Sequence, residues 1–289
     1  MGEYRAFSQM MGPPPGIAGR YPGTVAYLAA HWPRYLVLYG GGALFAVLVV
    51  LISTAQGWWA FVPFMLAFLL VLSYFLGAQL WAAIRLFDSG DVDFMFAQAN
   101  LAPQDESVLI SLGRRRAALQ LSRSLTSGHL YVVDVYNPQL VPSSAIARAR
   151  YQAPVVYPDS RVSWGEGDIN LLPLPDNSVE VVLLHHLLSA FWQHGDRVTL
   201  LREISRVLAP NGRLVLAERM RSQTNLVTLG PLGWRLPTPR YYYDMMAMAG
   251  FVDGRDFVRH GGLVHVLRAR KPMPTEGWQM QLKFGAQPK

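Results

Sequence analysis

Apolar residues fall in two long unbroken runs near the start of the chain, and between Tyr35 and Ile84 there is no Asp, Glu, Lys or Arg. The runs, 35–54 and 58–84, each satisfy the roughly 20 apolar helical residues that cross a bilayer core. They predict a two-helix transmembrane hairpin. The short AQG link followed by Trp58 and Trp59 predicts a tight turn with an aromatic anchor at the membrane interface. Beyond Ser107 the pattern changes, and apolar runs of strand length alternate with helical periodicity, as in a parallel sheet covered on both faces. The predicted strands are 108–112, 130–134, 162–165, 179–184 and 213–218. The predicted helices are 115–125, 143–151, 198–208 and 241–249. In the third of these Leu201, Ile204, Val207 and Leu208 share a face, and APNG (209–212) ends it. Runs at 256–260 and 263–269 are joined only by Gly261 and Gly262, too little chain for a parallel crossover, so the sheet is expected to end in an antiparallel hairpin.

This pattern divides the chain into an N-terminal arm (1–34), the hairpin (35–84), a connector (85–105), an α/β domain (106–271) and a tail (272–289). The arm is Gly- and Pro-rich and reads as flexible or surface-lying, the tail with Pro272, Pro274 and Pro288 reads as extended or disordered, and the connector has room for one helix lying on the domain. No cleavable signal peptide is expected, because the apolar run starts late. Arg5, Arg20 and Arg34 precede the first span and Arg85 ends the second, while the loop between them is uncharged. The positive-inside bias then places both termini and the globular domain in the cytoplasm, on the inner (cytoplasmic) membrane. Gly40, Gly41 and Gly42 either let another helix approach closely or are simply tolerated in lipid.

Composition narrows the partners. The net charge of +7 suits an anionic membrane surface better than nucleic acid, since the arginines form no long stripe and no NPPY-type motif is present. The absence of cysteine rules out disulfides, thiolate metal sites and cysteine nucleophiles, and no carboxylate cluster accompanies the histidines, so no metal is expected.

Ligands of open α/β sheets bind beyond the carboxyl ends of the strands. The residues there are Ser111 and Gly113 after strand one, Asp134 after strand two, Asp168 after strand three, and His185 and His186 after strand four. Asp134 sits where an acid can accept both ribose hydroxyls, or it is a turn acid before Asn137 and Pro138. Asp168 can meet an exocyclic adenine amine, or it is a loop acid. A histidine at 185 or 186 can act as general base on a hydroxyl, or can simply pack. Consecutive side chains of an extended strand point to opposite faces, which would separate the two rings. Trp234, Tyr241, Tyr242, Tyr243 and the methionines 245–248 offer an apolar wall or ordinary core.

Three segments taken together resemble the class I S-adenosylmethionine-dependent methyltransferases of the group acting on small molecules and lipids. These are LYVVDVYNP with Asp134, GDINLLPLPDNSVEVVLLHHLL with Asp168, and LLREISRVLAPNGRLVLAER. The resemblance spans roughly residues 100–270 and implies a Rossmann-like seven-stranded sheet with an antiparallel last strand. It also implies an S-adenosylmethionine pocket formed with Ser111, Gly113, Asp134 and Asp168. The departure lies in SLGRRRA, where the family resembles D-x-G-x-G-x-G. Ser111 stands at the acid, Gly113 at the first glycine, Arg115 at the second and Ala117 at the third. Arg115 is then expected where the methionine part of the cofactor passes, and Ser111 lacks the carboxylate for its amino group. Arg114, Arg115 and Arg116 either point outward, or bind an anion at the helix start, or mark a domain that has lost its cofactor. The function expected is methyl transfer to a lipophilic acceptor such as a quinone, isoprenoid, carotenoid or lipid. The alternative is a catalytically inactive subunit of a membrane protein complex.

Overall fold

The computed structural model describes residues 17–101, 104–155 and 158–275. Residues 1–16 of the arm and the tail from 276 lie outside these residues. The chain forms two compact units, 1–89 and 90–289.

In the first unit α1 (Ile17–Arg20) and α2 (Pro22–Tyr35) precede a π-helical stretch (Leu36–Gly40), α3 (Gly41–Ala55) and α4 (Phe61–Phe87). The end of the arm is therefore helical: α2, the π stretch and α3 run as one helix, Pro22–Ala55. Pro33, which has no N–H to give to the helix ladder, sits just ahead of the π stretch. Both long helices, Pro22–Ala55 and Phe61–Phe87, are long and apolar enough to cross a membrane. Their large side chains point outward, with Val37 75% and Leu70 71% exposed. Surface of this kind is stable against lipid and unfavourable against water, at about 25 cal/mol per Å². Of the three adjacent glycines, Gly42 is the one at a helix contact, since a Cβ there would come within 3.2 Å of Leu72 on α4. Asp88, at the end of α4, caps α2 through the N–H groups of Gly23 and Thr24, both at 2.7 Å.

The second unit opens with α5 (Asp91–Gln98), whose Val92, Met95 and Phe96 are buried. The seven strands are β1 (Ser107–Ser111), β2 (Leu130–Asp134), β3 (Val162–Glu166), β4 (Val179–His185), β5 (Leu208–Glu218), β6 (Val252–Arg259) and β7 (Val264–Arg270). The helices between them are α6 (Arg116–Ser124), α7 (Ser144–Tyr151), α8 (His194–Val207), α9 (Gln223–Leu229) and α10 (Pro239–Met248), with a 3-10 turn at Gly230–Arg235. The strand order is β3-β2-β1-β4-β5-β7-β6. Only β7 is reversed: it runs antiparallel to β5 and to β6. β5 begins at Leu208, earlier than the apolar run implies, because the chain enters the sheet through an irregular register with Asn211 at φ 64°. The β4 core, Val181 to Leu184, is wholly buried, as expected of a central parallel strand with helices on both faces. Strand order reverses between β1 and β4, which opens the crevice at their carboxyl ends.

Candidate functional site

Ser111 closes β1, and its Oγ accepts the N–H of Gly113 at 3.1 Å. Gly113 has φ 72°, a left-handed conformation that costs a residue with a Cβ about 1–2 kcal/mol. The space beside it is also taken. A Cβ there would lie 2.6 Å from the guanidinium carbon of Arg150 and 2.9 Å from Asp134 Oδ2. Register pairs Ser111 with Asp134, so the turn after β1 and the acid ending β2 face the same crevice.

The carboxylate of Asp134 is held on two sides. Its Oδ2 is ion-paired with Arg150 Nη1, and its Oδ1 accepts the N–H of Tyr136 at 3.1 Å. Arg150 reaches across from α7 and lies 4.2 Å from the centre of the Tyr136 ring, a cation–π contact. Both partners stay partly open, with side chains 30% and 23% exposed for Arg150 and Asp134. Nothing in the sequence around Arg150 marks it out, because the pairing depends on the end of α7 being brought to the end of β2.

The arginines after Gly113 separate. Arg115 caps the start of α6 and is exposed, its Nη1 3.4 Å from the carbonyl oxygen of Pro154. Arg115, expected beside the methionine part of the cofactor, thus lies on the surface, and Arg114 is the arginine that turns inward. Arg114 Nη2 donates to the carbonyl oxygen of His186 at 2.5 Å. Burial lowers the Arg114 pKa, and the nearby Glu218 carboxylate opposes that shift. Glu218 ends β5 fully buried, with Oε1 accepting from the N–H groups of Leu188 at 2.7 Å and Ser189 at 3.3 Å. Burial raises its pKa. Its nearness to Arg114 is not legible from one sequence position.

His185 and His186 do not project to opposite faces. The strand ends at His185, His186 has φ 49°, and the rings sit 4.5 Å apart at 62°. Both Nε2 atoms are sealed from solvent although the residues keep some exposure. Burial, with Arg114 adding to it, pushes the His185 pKa down to about 3. His186 is also well below its ordinary value, through burial, His185 and two arginines. Two neutral, weakly basic imidazoles are poor general bases at neutral pH.

Asp168 lies on an exposed turn, its Oδ1 accepting from Asn170 N at 2.8 Å and Nδ2 at 2.6 Å. The turn adjoins Asp134 through Gly167, whose N–H donates to the Asp134 carbonyl oxygen at 2.9 Å. Of the expected apolar wall, Tyr242, Met245 and Met246 belong to the core, whereas Trp234 and Met248 are exposed. The Tyr241 hydroxyl meets Arg197 Nη1 at 2.9 Å and His194 Nδ1 at 2.8 Å, pinning α10 to α8 beside the crevice.

These residues fit the nucleoside half of S-adenosylmethionine better than its methionine half. Asp134 and the bare Cα of Gly113 suit a ribose, provided the Arg150 guanidinium swings aside. At the other end Ser111 offers a hydroxyl where a carboxylate would hold an amino group, and Arg114 brings a cation.

The family model described as "Methyltransferase domain" matches residues 110–216. No curated protein matches the sequence. Among solved structures, human N-acetylserotonin methyltransferase in complex with S-adenosylmethionine is 16% identical, with 90% of this chain and 75% of that one covered and a TM-score of 0.54. A methyltransferase dependent on the same cofactor from Aquifex aeolicus is 18% identical over 65% of this chain and 92% of that one, with a TM-score of 0.47. At such identity the likeness is one of fold. With the strand order, the reversed β7 and the matched domain, the second unit has the class I S-adenosylmethionine-dependent methyltransferase fold.

Proposed function

We propose that the chain is a membrane-anchored S-adenosylmethionine-dependent methyltransferase whose acceptor is a lipophilic small molecule. The observation that carries this reading is the placement of Asp134 at the end of β2, facing Gly113 across the crevice of a methyltransferase fold. When bound, the cofactor supplies an electrophilic methyl group on a sulfonium. Asp134 would accept the ribose hydroxyls, and the glycine turn would let backbone approach the ligand. With His185 and His186 neutral and weakly basic, the chain contributes positioning and exclusion of water more than proton abstraction. The lipophilic acceptor follows from the two apolar helices, which would keep the crevice near the bilayer and shorten the search for a lipid-dissolved substrate.

A second reading, a non-catalytic scaffold in a membrane protein complex, is favoured by the arginines. Arg150 ion-pairs the ribose acid and Arg114 bonds the end of β4. The protein reconstituted with a polar lipid extract and methyl-tritiated S-adenosylmethionine separates the two. Label in the organic phase that disappears in Asp134→Ala supports the enzyme, and no label above a protein-free control supports the scaffold.

A further inference from the structure

The rim of the second unit at the carboxyl ends of β5 and β6 carries features that the methyl-transfer reading leaves unused. From Arg219 to Tyr243 the sequence has four arginines (Arg219, Arg221, Arg235, Arg240) and no Asp or Glu. Arg221, Arg235 and Arg240 are exposed, and beside them stand Val227 at 56%, Trp234 at 63% and Val258 at 55% exposure. Arg219 is turned inward to Asn225 Oδ1 and Thr228 Oγ1. Arg221 donates through Nε to the Leu236 carbonyl oxygen at 3.2 Å and lies 5.9 Å from the Trp234 ring centre, which holds the indole outward on a fixed turn. Among the described residues neither Arg221 nor Arg235 is ion-paired, and Arg240 has only Asp244 at 4.0 Å.

The rim is fastened to the point where the chain enters the unit. Ser222 Oγ donates to the Gly262 carbonyl oxygen at 2.6 Å, and Thr224 Oγ1 bonds that of Gly261. Next to these glycines, His260 Nε2 lies 3.1 Å from Asp91 Oδ1, and Arg259 bonds the Gly90 carbonyl oxygen at 2.7 Å. Asp91 begins α5, and only residues 88–90 separate it from the end of α4 at Phe87. That length of chain spans no more than about 15 Å. If α4 crosses a bilayer, this short link keeps Asp91, to which His260 is bonded, close in chain length to the end of that helix.

We propose that this rim, α9 with the turn at Gly230–Arg235, is a bilayer-contact surface for anionic lipid, with Trp234 and Val227 entering the headgroup region and Arg221, Arg235 and Arg240 meeting lipid phosphates. Exposed tryptophan beside unpaired arginine is the composition of an interfacial anchor. Each arginine near an anionic surface adds to the attraction. The proposal rests on the membrane reading of the two long helices.

The chain has no cysteine, so single labelling sites can be introduced cleanly. Full-length protein with an environment-sensitive fluorophore at Val227→Cys, or at Glu180→Cys near the amino ends of the strands, is reconstituted into phosphatidylcholine vesicles with or without phosphatidylglycerol. The expected result is a blue shift and loss of intensity to a lipid-borne quencher for the Val227 probe alone, largest with phosphatidylglycerol and reduced by Arg221→Gln, Arg235→Gln and Arg240→Gln together. A Val227 probe as water-exposed as the Glu180 probe, in a chain that resists alkaline carbonate extraction, overturns this proposal alone. Release by carbonate overturns the anchor reading and the proposal with it. A Val227 response to added RNA and not to lipid assigns the rim to nucleic acid and overturns it as well.

Discussion

At the scale of single residues, the crevice is governed by two arginines. In the proposed enzyme Arg150 would compete with a ribose, because its guanidinium holds Asp134 and covers Gly113. Arg150→Ala is therefore expected to strengthen S-adenosylmethionine binding by about tenfold, the size of one charge-assisted contact that no longer has to be broken, as read by calorimetry. Unchanged affinity would mean that the pair does not stand in the ligand's way. Gly113→Ala should destabilise the domain by about 1–3 kcal/mol in chemical denaturation, because alanine must adopt φ 72° against the Arg150 guanidinium. His185 gives a pH signature. Its folded pKa of about 3 lies below the ordinary 6.5, so its contribution is fully present above pH 6.5. As pH falls from about 6.5 toward about 3, the unfolded chain takes up a proton that the folded chain refuses, and stability is lost. The melting temperature of the wild type should therefore drop between pH 7 and pH 5, and His185→Gln should flatten part of that drop. Asp134, Gly113 and Ser111 were legible in the sequence because each ends or follows an apolar strand. Arg150 and Glu218 were not, since their meaning arises only when the end of α7 meets the end of β2 and β5 lies beside β4.

At the scale of elements, apolar runs located the central strands β1, β2 and β4 to within a residue, because burial on both faces of a parallel sheet leaves little freedom in composition. The differences have local causes. The irregular entry to β5 through Asn211 extends that strand to Leu208, and helix α2 continues the first apolar run toward the N-terminus as far as Pro22. The placement of α9 was missed altogether, because QTNLVTL has weak periodicity and is held by polar contacts, those of Asn225 foremost. Asn225 is fully buried, accepts from Arg219 Nε and donates to the carbonyl oxygens of Met220, Gly262 and Leu263. Asn225→Ala leaves those partners unsatisfied and should cost about 2–4 kcal/mol of stability by denaturation, with hydrogen exchange rising first in α9 and the β6–β7 turn. Exchange that stays unchanged in α9 would show that packing alone holds it.

At the scale of the whole molecule, a methyltransferase fold follows two helices long and apolar enough to cross a membrane. If they form a hairpin, a cysteine at Gln56 and one at Arg202 should be labelled by an impermeant reagent from opposite sides of sealed membranes, and labelling of both from one side would refute the hairpin. Under the proposed activity, the crevice between β1 and β4 is where the nucleoside half of the cofactor would find Asp134 and the methionine half would meet Ser111 and Arg114. The most direct test is calorimetric titration of the detergent-solubilised full-length protein with S-adenosylmethionine, repeated with Asp134→Ala. Micromolar binding that is lost in the variant is the predicted result, and the absence of heat at millimolar ligand would contradict it.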